Sequence, residues 1–534
     1  MRSFHALAAG LAFVVAVPVM AADEPTPRRV SLAFINDVHA QIEPHPELFW
    51  SAGAEEYVKD VGGLARVATV FNRLRAERPG ETVFIDGGDT IQGSGPAAWT
   101  KGQSVVEPMN ALGLDFAIPG NWFVAYGADA WNKAVAGFKH PMIAANVRDE
   151  RTGELIHEPY IVKEVNGVRI GFVGFTDPEV PHRQPPHLSK GLALDGEDAL
   201  PRYIAELREK QRVDLVVLVT HVGLPKSIAM ADEIRGVDVI LSADTHERTY
   251  EPIIRGDVWV VEAGSFASFV GVLDLQVGAD GEIVDRSWRL IELRPELFPE
   301  DPEVKKVVET ALAPHRERMN RVIGRTDDWL ARDGVLNSTL DQVIADAVRE
   351  AAGTEIGLSN GYRFSPPTAP GPITVADLWN WLPIPLELKR GEATGAQLRR
   401  YWERELQNTL ADDPKNLHGG WLARPSGMTV DFDRDASGEP RLRDLFVAGA
   451  PLKDDVTYTL AAGDRKGAPN GNIHRVQDCK NLEMLGATTH DAVEKYLERH
   501  SPIHSNFGLD VRRVDRPGLR MRSQILDKLE EASR

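Results

Sequence analysis

Six apolar runs between residues 30 and about 295 constrain this chain most: "VSLAFIN", "TVFIDGG", "MIAANV", "VRIGFVGF", "VDLVVLVTH" and "VDVILSADTH". Each is rich in Val, Ile and Phe and bounded by Gly, Asp or Asn, the pattern of strands buried on both faces. Helical spacing lies between them. Leu64, Val67, Ala68, Phe71 and Leu74 share one helix face, and Pro79-Gly80 ends that helix before the next strand. Strands alternating with helices predict a layered α/β domain with buried sheets over residues 28–295.

Beyond it, residues 296–325 begin proline-rich and continue charged and helical, which predicts a linker helix. A second mixed α/β region, 326–516, carries "SNGYRFSPP" and "DLWNWLP". The charged tail, 517–534, is expected to form a loosely packed helix. Residues 1–22 carry one early positive charge, an apolar run and small residues, a secretory signal cleaved near Ala21 or Ala22. No later run is apolar for long enough to cross a bilayer, so the expected mature protein is exported to the periplasm and free of membrane. A formal net charge of -18 argues against nucleic-acid polymers and anionic membranes as partners. The one cysteine, Cys479, excludes an internal disulfide and is expected to be inert packing.

The polar residues fall where chemistry would need them. Asp37 and His39 follow the first run, Asp89 the second, and Asn121 the run "AIPGN". His221 ends "VDLVVLVTH", while Asp244 and His246 end "VDVILSADTH". In α/β folds the carboxyl ends of strands form the ligand-binding rim, so these seven residues can converge. Carboxylates, imidazoles and an amide oxygen suit two divalent ions, with Asp89 as the bridge; such a pair clamps an oxyanion and activates water. Taken singly, each motif is as easily a turn residue or a cap; the series is the informative unit.

That series resembles the calcineurin-like metallophosphoesterases of the exported 5'-nucleotidase superfamily. "NGYRFSPP", "LWNWLPIPLELKRGEATGAQL", "GGWLARPSGMTVDF", "HRVQD" and "YLERHSPI" further resemble the second domain of the SoxB-type thiosulfohydrolases of sulfur oxidation. The resemblance implies a four-layer α/β/β/α catalytic domain joined by a linker helix to a C-terminal α/β substrate-binding domain. It implies two divalent ions, manganese first, with Mg, Fe or Zn as alternatives. Asp37, His39 and His246 would hold one, Asn121 and His221 the other, and Asp89 both. His221, Asn121 and Arg363 would be catalytic, and Asn360, Tyr362, Arg363 and Phe364 would contact substrate. The implied reaction releases sulfate from a cysteine-linked S-sulfonate on a SoxYZ-like sulfur-carrier protein, carried out by a monomer.

Two positions depart from the family pattern. Asp244 stands where a histidine is usual; as a third carboxylate ligand it would lower the positive charge of the site. Trp122 stands where related phosphatases keep a histidine that assists an alkoxide leaving group. A sulfur leaving group needs no such acid. The residues leave two other readings open: a 5'-nucleotidase or related phosphoesterase, and a noncatalytic periplasmic binding protein on the same scaffold. "DLWNWLP" is expected to pack in a core or between domains, and His418 and His474 carry no assignment beyond loop histidines.

Overall fold

The strand Arg28–Ile35 shows why the first domain is layered. Leu32 and Phe34 point to one side and Ala33 and Ile35 to the other, and both sides are apolar and buried. The computed structural model describes residues 26–51, 54–362, 365–417, 420–464, 470–504, 510–519 and 521–526. The expected signal segment, Arg363, Phe364, His418 and the end of the tail lie outside the described residues.

Two sheets face each other in the first domain. One runs Ile283–Glu292, Phe269–Val277, Arg28–Ile35, Thr82–Asp86, Phe116–Ala117; the other runs Ile253–Arg255, Val258–Glu262, Val239–Ser242, Leu215–His221, Val168–Thr176, Tyr160–Val165. Phe34, Ile85, Phe116, Val217, Leu241 and Leu273 fill the space between them. Helices cover both outer faces. Leu64, Val67 and Phe71 of helix Leu64–Glu77 pack on the first sheet, and Leu224 and Ile228 of helix Leu224–Glu233 on the second. The order is α/β/β/α, as the resemblance implies.

The helix Pro302–Leu312, expected as a linker, belongs to the core of this domain. Asp301 caps it, accepting from the backbone of Glu303 and Val304 at 3.0 Å each, and Val304, Val308 and Leu312 bury one face against helix Leu64–Glu77. The second domain follows from strand Val322–Thr326. It holds a five-stranded sheet, Arg424–Ser426, Ile356–Ser359, Thr457–Gly463, Glu387–Thr394, Lys480–Thr488, and a four-stranded sheet centred on Met428–Arg434 and Pro440–Val447. Trp381, Tyr401 and Trp402 are fully buried in its cores, and Trp379 meets Trp99 of the first domain edge-on at 5.7 Å. Cys479 is buried there too, and His474 packs against Tyr401.

The tail departs from its expected loose packing. Met521 joins the core of the second domain and Ile525 that of the first. Ser523 Oγ donates to Glu247 at 2.7 Å, and Gln524 Nε2 donates to the Thr409 carbonyl at 2.9 Å. Apolar residues four apart on a short segment can seat in two cores at once, so the surrounding charges do not decide its packing.

Candidate metal centre

Register sets the site. Ile35 pairs in parallel with Asp86, and Asp86 with Ala117; in the second sheet Thr220 pairs with Ser242 and Ser242 with Glu262. The carboxyl ends of these strands therefore open on one edge, and the loops beyond them deliver the polar residues. The backbone is turned sharply to do so. Asp37 (φ 50°), His39 (46°), Asp89 (54°), Asp244 (91°) and His246 (58°) all lie in the left-handed region. Side chains rarely adopt it, and its concentration here is typical of a functional site.

Two sets of donor atoms converge: Asp37, His39 and His246, and Asp37, Asp89 and His221. Asp37 Oδ1 is common to both, 3.4 Å from His246 Nε2 and 3.7 Å from the Nε2 of His39 and of His221. Asp89 Oδ2 lies 3.4 Å from His221 Nε2 and 3.6 Å from His39 Nε2, so it too spans the sets. The motif series assigns the bridge to Asp89; Asp37 is the residue common to both sets of donors. Asp37 Oδ1, Asn121 Oδ1 and His221 Nε2 are buried and form no hydrogen bond among the described residues. Such orphaned acceptors are rare unless something else binds them. Separations of this size are those of neighbouring ligands on one ion with bonds of about 2.1 Å. The residues fit a pair of divalent ions.

Their orientation is fixed from behind. His221 Nδ1 meets the Gly87 carbonyl at 2.7 Å and His39 Nδ1 the Gln92 carbonyl at 3.0 Å. The proton then belongs on Nδ1, leaving each Nε2 lone pair facing the centre. Asn36 Nδ2 and the Asp244 backbone N–H both donate to Asp37 Oδ2, at 2.7 and 3.0 Å, which turns Oδ1 inward. Burial raises the Asp37 pKa, but His221, His246 and His39 outweigh it and hold the carboxyl well below its ordinary range. Burial lowers that of His221, and Asp89 and Asp37 outweigh it, carrying the imidazole well above its usual value, so an ion taking up Nε2 would displace its proton. Behind these, burial pushes Asp86 up to about 7 and Glu262 up to about 8. Asp86 holds the Asp89 loop through Gly88 N–H and Thr90 Oγ1; Glu262 holds the His246 loop through Thr245 and Glu247.

Asp244 is in neither set. Its Oδ1 accepts from Asn121 Nδ2, and its Oδ2 lies 3.7 Å from Arg183 Nη1. Arg183 pairs in turn with fully buried Asp177. Sequence reasoning misses both, although Asp177 ends the strand-like run "VRIGFVGFT" as the assigned residues end theirs.

Trp122 is 8 % exposed and stands edge-on to Tyr362 of the second domain at 6.1 Å. Between the domains is a cavity of about 210 Å³ lined by Trp122, Ala125, Asn360, Tyr362, Trp381 and Ile384 among others. The structure thus brings Asn360 and Tyr362 to the side of the cleft that Trp122 occupies. The second domain also buries Arg332 and Arg424 around Asp341, with Arg332 Nη2 3.1 Å from Asp341 Oδ1 and Nη1 donating to the Trp381 carbonyl at 2.8 Å.

Residues 30–248 match the calcineurin-like phosphoesterase family, and residues 322–464 match the 5'-nucleotidase C-terminal domain. The structure of the sulfate thiohydrolase SoxB of Thermus thermophilus is similar with TM-score 0.81 and 23% identity, covering 93% of this chain and 98% of that one. A 5'-nucleotidase precursor, also from Thermus thermophilus, gives TM-score 0.78 and 23% identity, covering 92% and 100%. In sequence, the 5'-nucleotidase of Vibrio cholerae is 22% identical over 554 residues, 94% of this chain and 96% of that protein. Endonuclease YhcR of Bacillus subtilis is 23% identical over 478 residues, and the chain spans 37% of its length. At these identities the structural likeness speaks for the fold, which a thiohydrolase and a nucleotidase share. The chain belongs to the 5'-nucleotidase-family metallophosphoesterases, a calcineurin-like phosphoesterase domain followed by a 5'-nucleotidase C-terminal domain.

Proposed function

We propose that this metal-dependent hydrolase is an exported thiosulfohydrolase, cleaving a cysteine-linked S-sulfonate on a periplasmic sulfur-carrier protein and releasing sulfate. The observation that carries the reading is Trp122. It follows Asn121 directly, holds Asp89 through its backbone N–H at 2.8 Å, and closes the wall of the interdomain cleft with an indole. An indole donates one N–H and exchanges no proton with a leaving group. Ester hydrolysis at this position would expel an alkoxide without an acid to protonate it; sulfur leaves as a stable anion.

Two divalent ions, manganese foremost, would be held by Asp37, His39, His246, Asp89, Asn121 and His221, and when bound they supply Lewis acidity and an activated water. The residues do the rest. His221, aimed by its Nδ1 contact with Gly87, keeps its Nε2 lone pair toward the ion it would hold, and that positioning is its catalytic role. Trp122 and Tyr362 shield the sulfur–sulfur bond from bulk water, and Arg363 and Phe364, the next residues in sequence, are proposed as further substrate contacts. Water oxygen becomes the fourth oxygen of sulfate, the S–S bond breaks with both electrons on the carrier sulfur, and two protons leave to solvent. Among the described residues no helix is long and apolar enough to cross a membrane.

The test is a parallel assay of the Mn-loaded protein on a peptide bearing S-sulfocysteine and on a panel of 5'-nucleotides. A kcat/KM at least about 100-fold higher for sulfate release supports the reading, given that the two leaving groups differ in their need for an acid. Phosphate release at an equal or higher kcat/KM overturns it in favour of a nucleotidase.

A further inference from the structure

We propose that Asp244 is a positioning residue for Asn121 rather than a metal ligand, and that Arg183 is the counter-charge that allows a carboxylate to do this work. The proposal rests on the dinuclear reading of the site.

A carboxamide looks nearly the same when turned by half a revolution, but only its oxygen can bind a cation. Turned the wrong way, Asn121 would point two N–H groups at the centre. What fixes the choice is the partner of the NH2. Asn121 Nδ2 donates to Asp244 Oδ1, while Asn121 Oδ1 is buried and forms no hydrogen bond among the described residues. An ionised carboxylate accepts and never donates, so the opposite orientation would set two acceptors face to face. A neutral imidazole at this position accepts in only one of its two tautomers and leaves the choice weaker.

Asp244 is itself held in place. Its N–H donates to Asp37 Oδ2 at 3.0 Å, and its φ of 91° commits the backbone to the turn that precedes His246. Space beside it is tight: a side-chain carbon on Gly223 would sit 3.3 Å from Asp244 Oδ2. The charge is answered by Arg183, 3.7 Å from Asp244 Oδ2 and 2.5 Å from Asp177 Oδ2. Arg183 and Asp177 come from one segment, "TDPEVPHR", at the end of strand Val168–Thr176. Four residues from three loops thus form the series Asp177–Arg183–Asp244–Asn121. A carboxylate tied to a guanidinium need not be neutralised by the ions, so the substitution of Asp for His leaves their charge available to an anionic substrate.

The test is Mn2+ binding by equilibrium dialysis with elemental analysis, on wild type and on variants shown to be folded by circular dichroism. Wild-type protein that takes up fewer than about one Mn2+ per chain overturns the dinuclear reading and the proposal with it. With two bound, Asp244→Ala is expected to retain one ion at wild-type affinity and weaken the other by at least about tenfold. Asp244→Asn, whose amide can turn either its oxygen or its NH2 to Asn121, is expected to lose less than the alanine variant, about threefold. Arg183→Met is expected to fall between them. Equal losses in Asp244→Ala and Asp244→Asn, or unchanged affinity in Asp244→Ala, overturn the proposal. A crystal structure of the wild-type Mn-loaded protein decides independently. An Asp244 oxygen about 2.2 Å from Mn2+ makes it a ligand and overturns the assignment; Asn121 Oδ1 at that distance, with Asp244 bonded only to its amide, bears it out.

Discussion

Trp122 donates its backbone N–H to Asp89 Oδ1 at 2.8 Å, so the residue that supplies no acid to the reaction still helps to hold a candidate metal-bridging carboxylate. Side chain and main chain do separate jobs here. The indole shapes the cleft, and any residue but proline could keep the N–H.

Trp122→His should therefore leave metal content unchanged while restoring an acid beside the leaving group. Phosphatase activity on 5'-nucleotides is expected to rise by at least about tenfold. Steady-state assays with metal analysis on the same preparation check this. No rise, with the metals still bound, would sink the leaving-group account of Trp122.

Asp89→Ala is expected to empty both candidate sets of donors and abolish turnover, because Asp89 Oδ2 lies within 3.6 Å of a histidine of each. Gly120→Ala should reach the same result by crowding. Its added carbon would collide with Asp89 Oδ1 and with the Asp89 backbone nitrogen. Elemental analysis reads both, and full metal content in either variant would remove Asp89 from the bridging role.

Asp341→Asn tests the second domain. Arg332 and Arg424 are both buried, and Asp341, held by Ser338 and Ser359, is the carboxylate that faces them. Neutralising it removes the counter-charge of Arg332 and the larger of the two that act on Arg424, Asp333 being the other, a loss of about 3 kcal/mol of stability. A lowered urea midpoint with unchanged slope is the expected readout.

His157 predicts a pH dependence. Burial brings its pKa down to about 4, and its Nε2 accepts from Trp131 Nε1 at 3.3 Å, which only the neutral ring can do. The unfolded chain therefore binds this proton before the folded one. Stability from His157 is complete above about pH 6.5 and is lost as pH falls from there towards 4, by the order of 2 kcal/mol. His157→Gln should flatten the fall in urea midpoint over that window; an unchanged slope would count against the assignment.

The layered first domain is legible because buried strands write themselves as unbroken Val, Ile and Phe, and because a rim residue must follow each one. Asp37, His39, Asp89, His221 and His246 stand out that way and converge. Asp177 obeys the same rule yet escapes notice, since its partner Arg183 has no periodicity to mark it. Arg332 and Arg424 are hidden for a general reason: charged residues are read as surface unless a partner is known, and their partner Asp341 lies on a helix well separated from Arg424 in sequence. Helix Pro302–Leu312 is legible as a helix, but the charges around it mask its Val304, Val308 and Leu312 face.

The segment Met521–Ile525 gives each domain a share of the same few residues: Met521 in one core, Ile525 in the other, with hydrogen bonds to Glu247 and Thr409 between. Neither domain can unfold without stripping an apolar side chain from its neighbour's clasp. Heat should then find a single cooperative unit where the architecture suggests two, and the loop that carries His246 inherits the stability of both.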